Sequence, residues 1–341
     1  MLTYILRRVA SVPIVLFAVT LLIVFLMQFI PLENRAASYI TNARQLGQIE
    51  QIIKDKKLDQ PFLVQYGVWL SEAARGNLGY SKASNEPVLE TISKRLPASA
   101  ELALYSGFLV VGIGMMIGTR AALHKGKMLD RLSGFLAVVG FSLPGFVLGV
   151  WLLVIFYGAL GIAPAPGRLS QENEILLVTG AVKRITGMLT IDAFLSGQWS
   201  VLLDALAHLV LPVITLSLVS TATVLKAMRS SMLEVLGSDF IRTARAKGLS
   251  EAAVNIKHAR RNALLPVSTL ATATVLGLVG GSVIVETIFA YPGIGSWVAK
   301  SSSTYDYAGV LGFAVITAIV VIAANLFVDI LYGILDPRVR L

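Results

Sequence analysis

The chain has 341 residues, of which 55% are hydrophobic and only 14% charged, against roughly 25% charged in ordinary soluble domains. It contains no cysteine, which excludes disulfide staples and thiolate metal sites. A formal net charge of +9 could serve a nucleic-acid surface, but the basic residues sit beside long apolar runs. Membrane topology accounts for them, and nucleic acid is not an expected partner.

A hydrocarbon core of ~30 Å takes roughly 20 apolar residues in helical form. Residues 1–8 carry Arg7 and Arg8, and 9–30 form the first apolar run, without charge. That run is too long for a cleavable signal peptide, and no small-residue cleavage site follows it. Residues 31–97 predict a folded lobe against the membrane surface. Within them, 35–57 reads as an amphipathic helix with Leu46, Ile49, Ile52 and Ile53 on one side, and RGNLGYS reads as a turn. The second span is 98–123, with Glu101 and Arg120 tolerated near the headgroups at the two ends of its uncharged centre. Lys125, Lys127 and Arg131 fill the short loop that follows.

The third span, 132–163, belongs to an apolar run that continues to Gly167, longer than one crossing needs, so its Pro-rich end is expected to bend away. Residues 164–204 are polar apart from Ile175–Val182, which is too short to span. The fourth span, 205–225, is interrupted only by His208. A basic loop, 226–262, leads to the fifth span, 263–285; an outer loop, 286–306, leads to the sixth, 307–328; and 329–341 close the chain. Lys and Arg concentrate in 1–8, in the loop after the second span, in 226–262 and at Arg338 and Arg340. With six crossings these segments share one side, which places both termini in the cytoplasm. The expected fold is an all-α membrane protein of six transmembrane helices, with an extracytoplasmic lobe between helices 1 and 2. Pro144, Pro212 and the many glycines allow close helix approach and local bends.

No phosphate-binding G-x-x-x-x-G-K-[ST] occurs, so the chain is not itself a P-loop ATPase. There is no H-E-x-x-H, and three scattered histidines make no metal site. GFSLPG, 140–145, comes near a nucleophile elbow but has Pro144 where glycine is required, and no acid–base partner accompanies it. No catalytic residue is expected. An ion-coupled carrier would need ionisable groups inside the spans, where only His208 is clearly placed. The absence of an internal repeat weakens the same reading. Transport energised elsewhere is the better class.

The basic loop carries its own signal. Ser238 suits an N-cap, and Asp239 falls in the first helical turn. Phe240 and Ala244 share a face with Ile241 beside it, and Arg245 and Lys247 fall in the last turn. Gly248 can take the left-handed position after the helix, and Ser250 can cap a second helix with Glu251 in its first turn. Basic loops often only set topology and touch anionic headgroups. The small residues Thr243, Ala244, Ala246 and Gly248 suggest more, because a close-fitting protein groove demands small size and lipid does not.

RSSMLEVLGSDFIRTARAKGL, 229–249, followed by RNALLPV, 261–267, resembles the coupling loop of ABC-transporter permeases. More narrowly, the chain resembles the dipeptide/oligopeptide permease family, and the first of its two paired permeases. YILRR, PFLVQYGVWL with GNLGYS, RLPASAELAL, SLPGFVLGVWLL, VETIFAYPGIG and VDILYGILDPRVR carry the likeness in family order over nearly the whole chain. The resemblance implies the type I ABC importer permease fold over approximately 95–335, in a bacterial inner membrane. It implies a heterodimer with a second homologous permease, two ATPases that hold the ATP and Mg, and a periplasmic binding protein that delivers peptide. This chain itself would bind no cofactor. Phe240, Arg242, Thr243, Ala244, Arg245, Ala246, Lys247, Gly248, Leu249 and Pro266 are then the expected ATPase-coupling residues. Arg242 and Thr243 stand where the general permease pattern has Glu and Ala, a departure that peptide-type permeases share. Glu286, Tyr291, Pro292, Gly293 and Asp306 are candidates for the path or an outer gate. For Glu286, a meeting with a peptide amino terminus and a carboxylate paired with Lys300 or solvated both fit the sequence. Nickel chelates, glutathione, opines or antimicrobial peptides are alternative substrates of the same machinery.

Overall fold

The structure is a computed structural model that describes residues 2–37, 39–40, 48–279 and 283–335. The first helix, α1 (Leu2–Leu26), ends in a single tight turn at Met27–Phe29. Outside it lie α2 (Leu32–Ala37), α3 (Ile49–Asp55) and α4 (Phe62–Ala74); of the amphipathic helix expected over 35–57, α2 and α3 cover the two ends, and 41–47, Leu46 among them, lie outside the described residues. A two-residue hairpin, β1 (Tyr80–Ser81) with β2 (Glu86–Pro87), pairs antiparallel and leads into α5 (Val88–Leu123). The lobe is pinned to the bundle through α4, whose Tyr66 and Trp69 pack with Val24, Leu311 and Val315. Tyr66 also shares a 2.9 Å hydrogen bond with the Thr20 hydroxyl of α1.

At 36 residues, α5 would run about 54 Å at 1.5 Å per residue, well beyond the hydrocarbon core. It therefore starts ten residues before the span expected at 98 and carries Pro97 inside it. A proline in a helix frees the carbonyl four residues earlier. That carbonyl, on Ser93, accepts a 2.7 Å hydrogen bond from Arg184 Nη2 in the second outer segment. Next, α6 (Met128–Ser142) and α7 (Gly145–Leu152) with its wider π-type continuation Leu153–Ala159 form a pair bent by 98°. The sharp bend is at Leu143-Pro144, where Pro144 adopts an extended ψ of 132° and opens α7, and the helix stops at Ala159, ahead of the Pro-rich 164–166.

The second outer segment holds α8 (Gln171–Val178) and α9 (Leu189–Leu195). It leads into α10 (Trp199–Leu236), a 38-residue helix longer than the 205–225 span at both ends. A surface helix, α11 (Asp239–Ala246), precedes α12 (Glu251–Ala253) and a π-type stretch, Val254–Arg260, that runs straight into α13 (Arg261–Val279). The chain ends with α14 (Val283–Ile288), α15 (Ile294–Ser303) and α16 (Tyr307–Leu335). Among the described residues, four helices are long and apolar enough to cross a membrane, or five if the bent pair is one span. The predicted fifth span falls on α13 and α14 and includes 280–282, outside the described residues.

The central helix is α10, which packs along α5 and also meets α6, α7 and α13. Helices in lipid approach closely where small residues face one another. Gly114 and Gly118 of α5 do this against α10: a Cβ on Gly118 would lie 2.6 Å from Leu225 O and 2.8 Å from Met228 Cβ. Gly118→Val is therefore expected to cost roughly 1–3 kcal/mol by overpacking. Thermal unfolding in detergent checks it, and an unchanged midpoint would show that the two helices can part there freely.

Candidate coupling surface and outer polar site

The surface helix α11 forms because its ends are well terminated. Gly248, at φ +78°, takes the left-handed conformation that a side chain disfavours, and it ends the helix just after Lys247. Ser250 then caps the next turn by accepting from Ala253 N at 3.3 Å. Ser238 does not cap with its side chain; its hydroxyl donates to Val235 O at 2.6 Å, turned back onto α10. The buried face is Ile241 with Ala244, while Phe240 is exposed, so the face-sharing expected of Phe240 and Ala244 is replaced by an inward Ile241/Ala244 pair. These two join Met228 and Met232 of α10, Val254 and Ala259 of the π-type stretch, and Ala263 and Val267 of α13 in one apolar cluster. Ser231 Oγ donates to Ala263 O at 2.9 Å, so α10 and α13 are also clasped directly.

Turned outward are Phe240, Arg242, Thr243, Arg245, Ala246, Lys247, Gly248 and Leu249. Arg242 pairs with Asp239 at 2.8 Å, and Arg245 grips Glu251 through two bonds of 2.8 and 3.3 Å across the turn. Of the ten expected coupling residues, only Ala244 is buried, and Pro266 stands apart on the second turn of α13, exposed. What results is a helix whose outer face is free to meet another molecule and whose inner face is keyed to two long helices. At the same end of the bundle, Asp130 of α6 binds Arg229 of α10 through bonds of 2.5 and 2.9 Å and accepts Gly126 N at 2.9 Å.

At the other end, the candidate path residues are mostly inside the protein. Glu286 is fully buried. Its Oε1 accepts from Ser99 Oγ at 2.7 Å and its Oε2 from Ser296 N at 2.8 Å. Because Ser296 lies in the first turn of α15, the carboxylate caps that helix from a neighbouring element, where the unpaired backbone N–H groups favour negative charge. Ser99 Oγ in turn accepts from Ile294 N at 2.8 Å. Gly293 makes this possible by having no side chain, since a Cβ there would collide with the Glu286 carboxylate and the Ser99 hydroxyl. Asp306 is likewise buried and caps α16, its Oδ1 accepting from Gly309 N at 3.0 Å. Its Oδ2 accepts from Ala83 N at 3.0 Å and from the Ser81 hydroxyl, tying the hairpin to the α15–α16 corner. Trp297 Nε1 donates to the same Ser81 oxygen at 3.0 Å. Pro292 alone of the five is exposed.

Tyr291 leads to a group that sequence reasoning passed over. Its hydroxyl donates to Glu101 Oε2 at 3.0 Å, and Arg168 Nη2 reaches the same oxygen at 2.6 Å. Glu101 Oε1 accepts from both the backbone N and the hydroxyl of Thr190, each at 2.7 Å. Burial, with the Glu101 carboxylate beside it, pushes the Tyr291 phenol above its ordinary range and keeps it a neutral donor. Glu101 therefore joins α5, the second outer segment and the 289–293 turn. The available signal was a carboxylate at the very edge of an apolar run, which is costly unless it is held by partners. Similarly, Glu286→Gln puts an amide N–H₂ where one carboxylate oxygen accepts a hydrogen bond. It is expected to lower stability by about 1.5–3 kcal/mol, the worth of bonds to a charged group. Thermal unfolding of the purified protein decides it, and an unaltered midpoint would show the cap to be dispensable.

The family described as "Binding-protein-dependent transport system inner membrane component" matches residues 112–341, and its N-terminal companion, "Binding-prot-dependent transport system membrane comp, N-term", matches 1–103. The chain is 39% identical over 291 residues to the probable D,D-dipeptide transport system permease protein of Escherichia coli K12, covering 85% of this chain and 84% of that one. It is 35% identical over 340 residues to the dipeptide transport system permease protein of the same organism, covering 100% and 99%. To the di/tripeptide transport system permease protein of Pseudomonas aeruginosa UCBPP-PA14 it is 37% identical over 347 residues, again covering 100% and 99%. With an apolar helical bundle and a surface helix keyed to it, and with both family matches between them spanning most of its length, the chain belongs to the family of inner-membrane components of binding-protein-dependent transport systems.

Proposed function

We infer that this chain is the permease subunit of an ATP-driven importer of dipeptides and short peptides, which a periplasmic binding protein delivers. It crosses the inner membrane six times in the type I importer arrangement, at 9–30, 98–123, 132–163, 205–225, 263–285 and 307–328. Both termini are cytoplasmic, 31–97 form the outer lobe, and 226–262 form the coupling loop. A second homologous permease completes the path, and two ATPases bind and hydrolyse ATP with Mg. The substrate class rests on relatives named as dipeptide and di/tripeptide permeases along the full length of the chain. The observation that carries the mechanism is the seating of α11, with Ile241 and Ala244 locked onto α10 and α13 and Phe240, Thr243 and Lys247 outward. An ATPase that grips the outer face moves α11 as a rigid lever, and the apolar cluster passes the displacement to both long helices. Glu286 and Asp306, each buried under hydrogen-bond donors, hold the outer turns in place while the helices move.

Reconstitution tests this reading. The chain is purified with its ATPases and partner permease, placed in proteoliposomes, and supplied with binding protein and labelled dipeptide. Uptake should require ATP and every subunit. Uptake by this chain alone without ATP would overturn the proposal, and ATP-dependent uptake of another solute with no response to peptide would overturn the substrate class.

A further inference from the structure

At the end of the bundle that carries the basic loop, a groove opens between α6 and α10. Its mouth is a cavity of about 360 Å³ lined by Asp130, Gly134, Val138, Phe141, Lys226 and Arg229. Ala137 and Leu225 line it too, and both also line a second cavity of about 220 Å³ that reaches inward to Leu109 and Ile113 of α5, and to Ile214 and Leu218 of α10. The two spaces adjoin along Ala137 and Leu225, a charged mouth beside a mainly apolar groove.

Charge at the mouth is lopsided. Arg229 gives Nε and Nη2 to Asp130, which neutralises that acid and fixes the guanidinium plane, while Nη1 takes no part in the pair. Lys226 is exposed, forms no ion pair among the described residues, and holds its Nζ 6.0 Å from the centre of the Phe141 ring. Lys125, Lys127 and Arg131 on the adjoining turn add three more positive charges. An anion suits this mouth, and only a ligand with a long apolar tail would also fill the groove beside it. A free phosphate would leave the aliphatic part empty. A neighbouring transmembrane helix would fill it, but would need an acidic residue of its own opposite Lys226.

We propose that the groove binds one anionic phospholipid, with its phosphate at Lys226 and Arg229 Nη1 and an acyl chain along Gly134, Ala137 and Leu225 towards α5. Basic pockets between membrane helices are known to hold acidic headgroups in this way. The lipid bridges α6 to the end of α10 that bears Met228 and Met232, the seat of α11.

Native mass spectrometry of the complete transporter, purified with whatever subunits copurify and stripped of lipid in detergent, tests the site. Phosphatidylglycerol, phosphatidylcholine and inorganic phosphate are the probes. The wild type should retain one phosphatidylglycerol per copy of this chain in preference to phosphatidylcholine, and inorganic phosphate should not displace it. Lys226→Ala should weaken retention about fivefold, the effect of one basic residue at an anionic surface. Gly134→Phe should abolish it, because Gly134 lines the groove and a Cβ there meets nothing within 4 Å, so the added ring can occupy the groove. Equal retention of the two lipids, displacement by inorganic phosphate, or unchanged retention in Lys226→Ala would each overturn the proposal. Loss of a partner subunit from the Gly134→Phe complex would overturn it too, by showing that protein covers the groove. Should Gly134→Phe fail to fold, Lys226→Ala decides alone.

Discussion

Gly248→Trp is expected to reduce ATP-driven uptake by at least about a hundredfold while leaving the chain inserted and assembled with its neighbours. Two separate costs are involved, and the structure tells them apart. The first is backbone strain: at φ +78° a non-glycine residue loses roughly 1–2 kcal/mol, though asparagine tolerates the conformation better than most. The second is bulk. A Cβ on Gly248 meets nothing within 4 Å, and the position is exposed, so a side chain there leaves the turn towards open space. On the proposed coupling role, the obstruction then falls on the docking partner. A partner groove fitted to Ala246 and Gly248 would not close over Trp. The hundredfold loss corresponds to about 2.7 kcal/mol of docking free energy, well within what one misfit at the centre of an interface costs. Gly248→Asn separates the two costs, since it keeps the left-handed turn and adds little volume; it should retain most uptake. The measurement is labelled-peptide uptake beside the ATPase rate with and without binding protein. Full uptake by Gly248→Trp would remove α11 from the coupling path, and equal loss in Asn and Trp variants would make the turn, rather than the fit, the critical element.

How far the sequence reaches is clearest at this loop. Helix, left-handed glycine and second cap are all local events within a dozen residues, and Gly248 and Ser250 do what their chemistry predicts. Which side of the helix faces inward is not legible, because amphipathic spacing alone cannot distinguish Phe240 from Ile241 when both are apolar. Only the positions of Met228, Met232 and Val254 in space select Ile241. The apolar runs were legible for the same local reason, although helix ends drifted: α5 and α10 run beyond the expected spans where outer segments pack on them and, for α10, where α11 and α13 pack on Met228 and Met232. Pro97 illustrates this, since a break expected from local rules is repaired by Arg184, 87 residues further on, donating to the freed Ser93 carbonyl. At Pro144 the outcome differs, and the chain turns by 98°. The outer polar site was least legible. Glu101, Ser99, Arg168 and Thr190 are unremarkable in sequence and acquire meaning only when α5, the second outer segment and the 289–293 turn converge. Glu286 was visible as a costly carboxylate, but the start of α15 that it caps was not, whereas the start of α16 at Tyr307, capped by Asp306, coincides with the sixth span expected there.

Glu101→Ala carries the second large effect, this time on stability. Glu101 is 1% exposed and Arg168 only 19%, so their pair is shielded from water on both sides. Removing one member of such a pair typically costs about 3–5 kcal/mol, because the surviving charge stays buried without its partner. Here the loss extends further. Thr190 N and its hydroxyl lose their acceptor, Tyr291 loses the oxygen it donates to, and Arg168 is left with Gly187 O, at 3.1 Å, and the Tyr291 ring, 5.8 Å to its centre, but no carboxylate. The second outer segment would then be held by Arg184 on Ser93, by Gly167 N on Phe289 O at 2.9 Å and by the Asp204 bonds to Ser170 and Asn173. Of these, Arg184 alone reaches the middle of the segment, beside the 3.1 Å bond of the Tyr105 hydroxyl to Thr190, so the lost Glu101 anchor weakens that middle most. Limited proteolysis should accordingly cut Glu101→Ala between about residues 180 and 190 while sparing the wild type, in step with a lower unfolding midpoint. A double variant, Glu101→Leu with Arg168→Met, should recover most of the lost stability, since it removes the buried cation together with its partner. That recovery is the decisive reading. If the double variant were as unstable as the sum of the single ones, the pair would not be acting as a pair. If Glu101→Ala alone cost under about 1 kcal/mol, the junction of α5, the outer segment and the Tyr291 turn would have to be held by its apolar contacts instead.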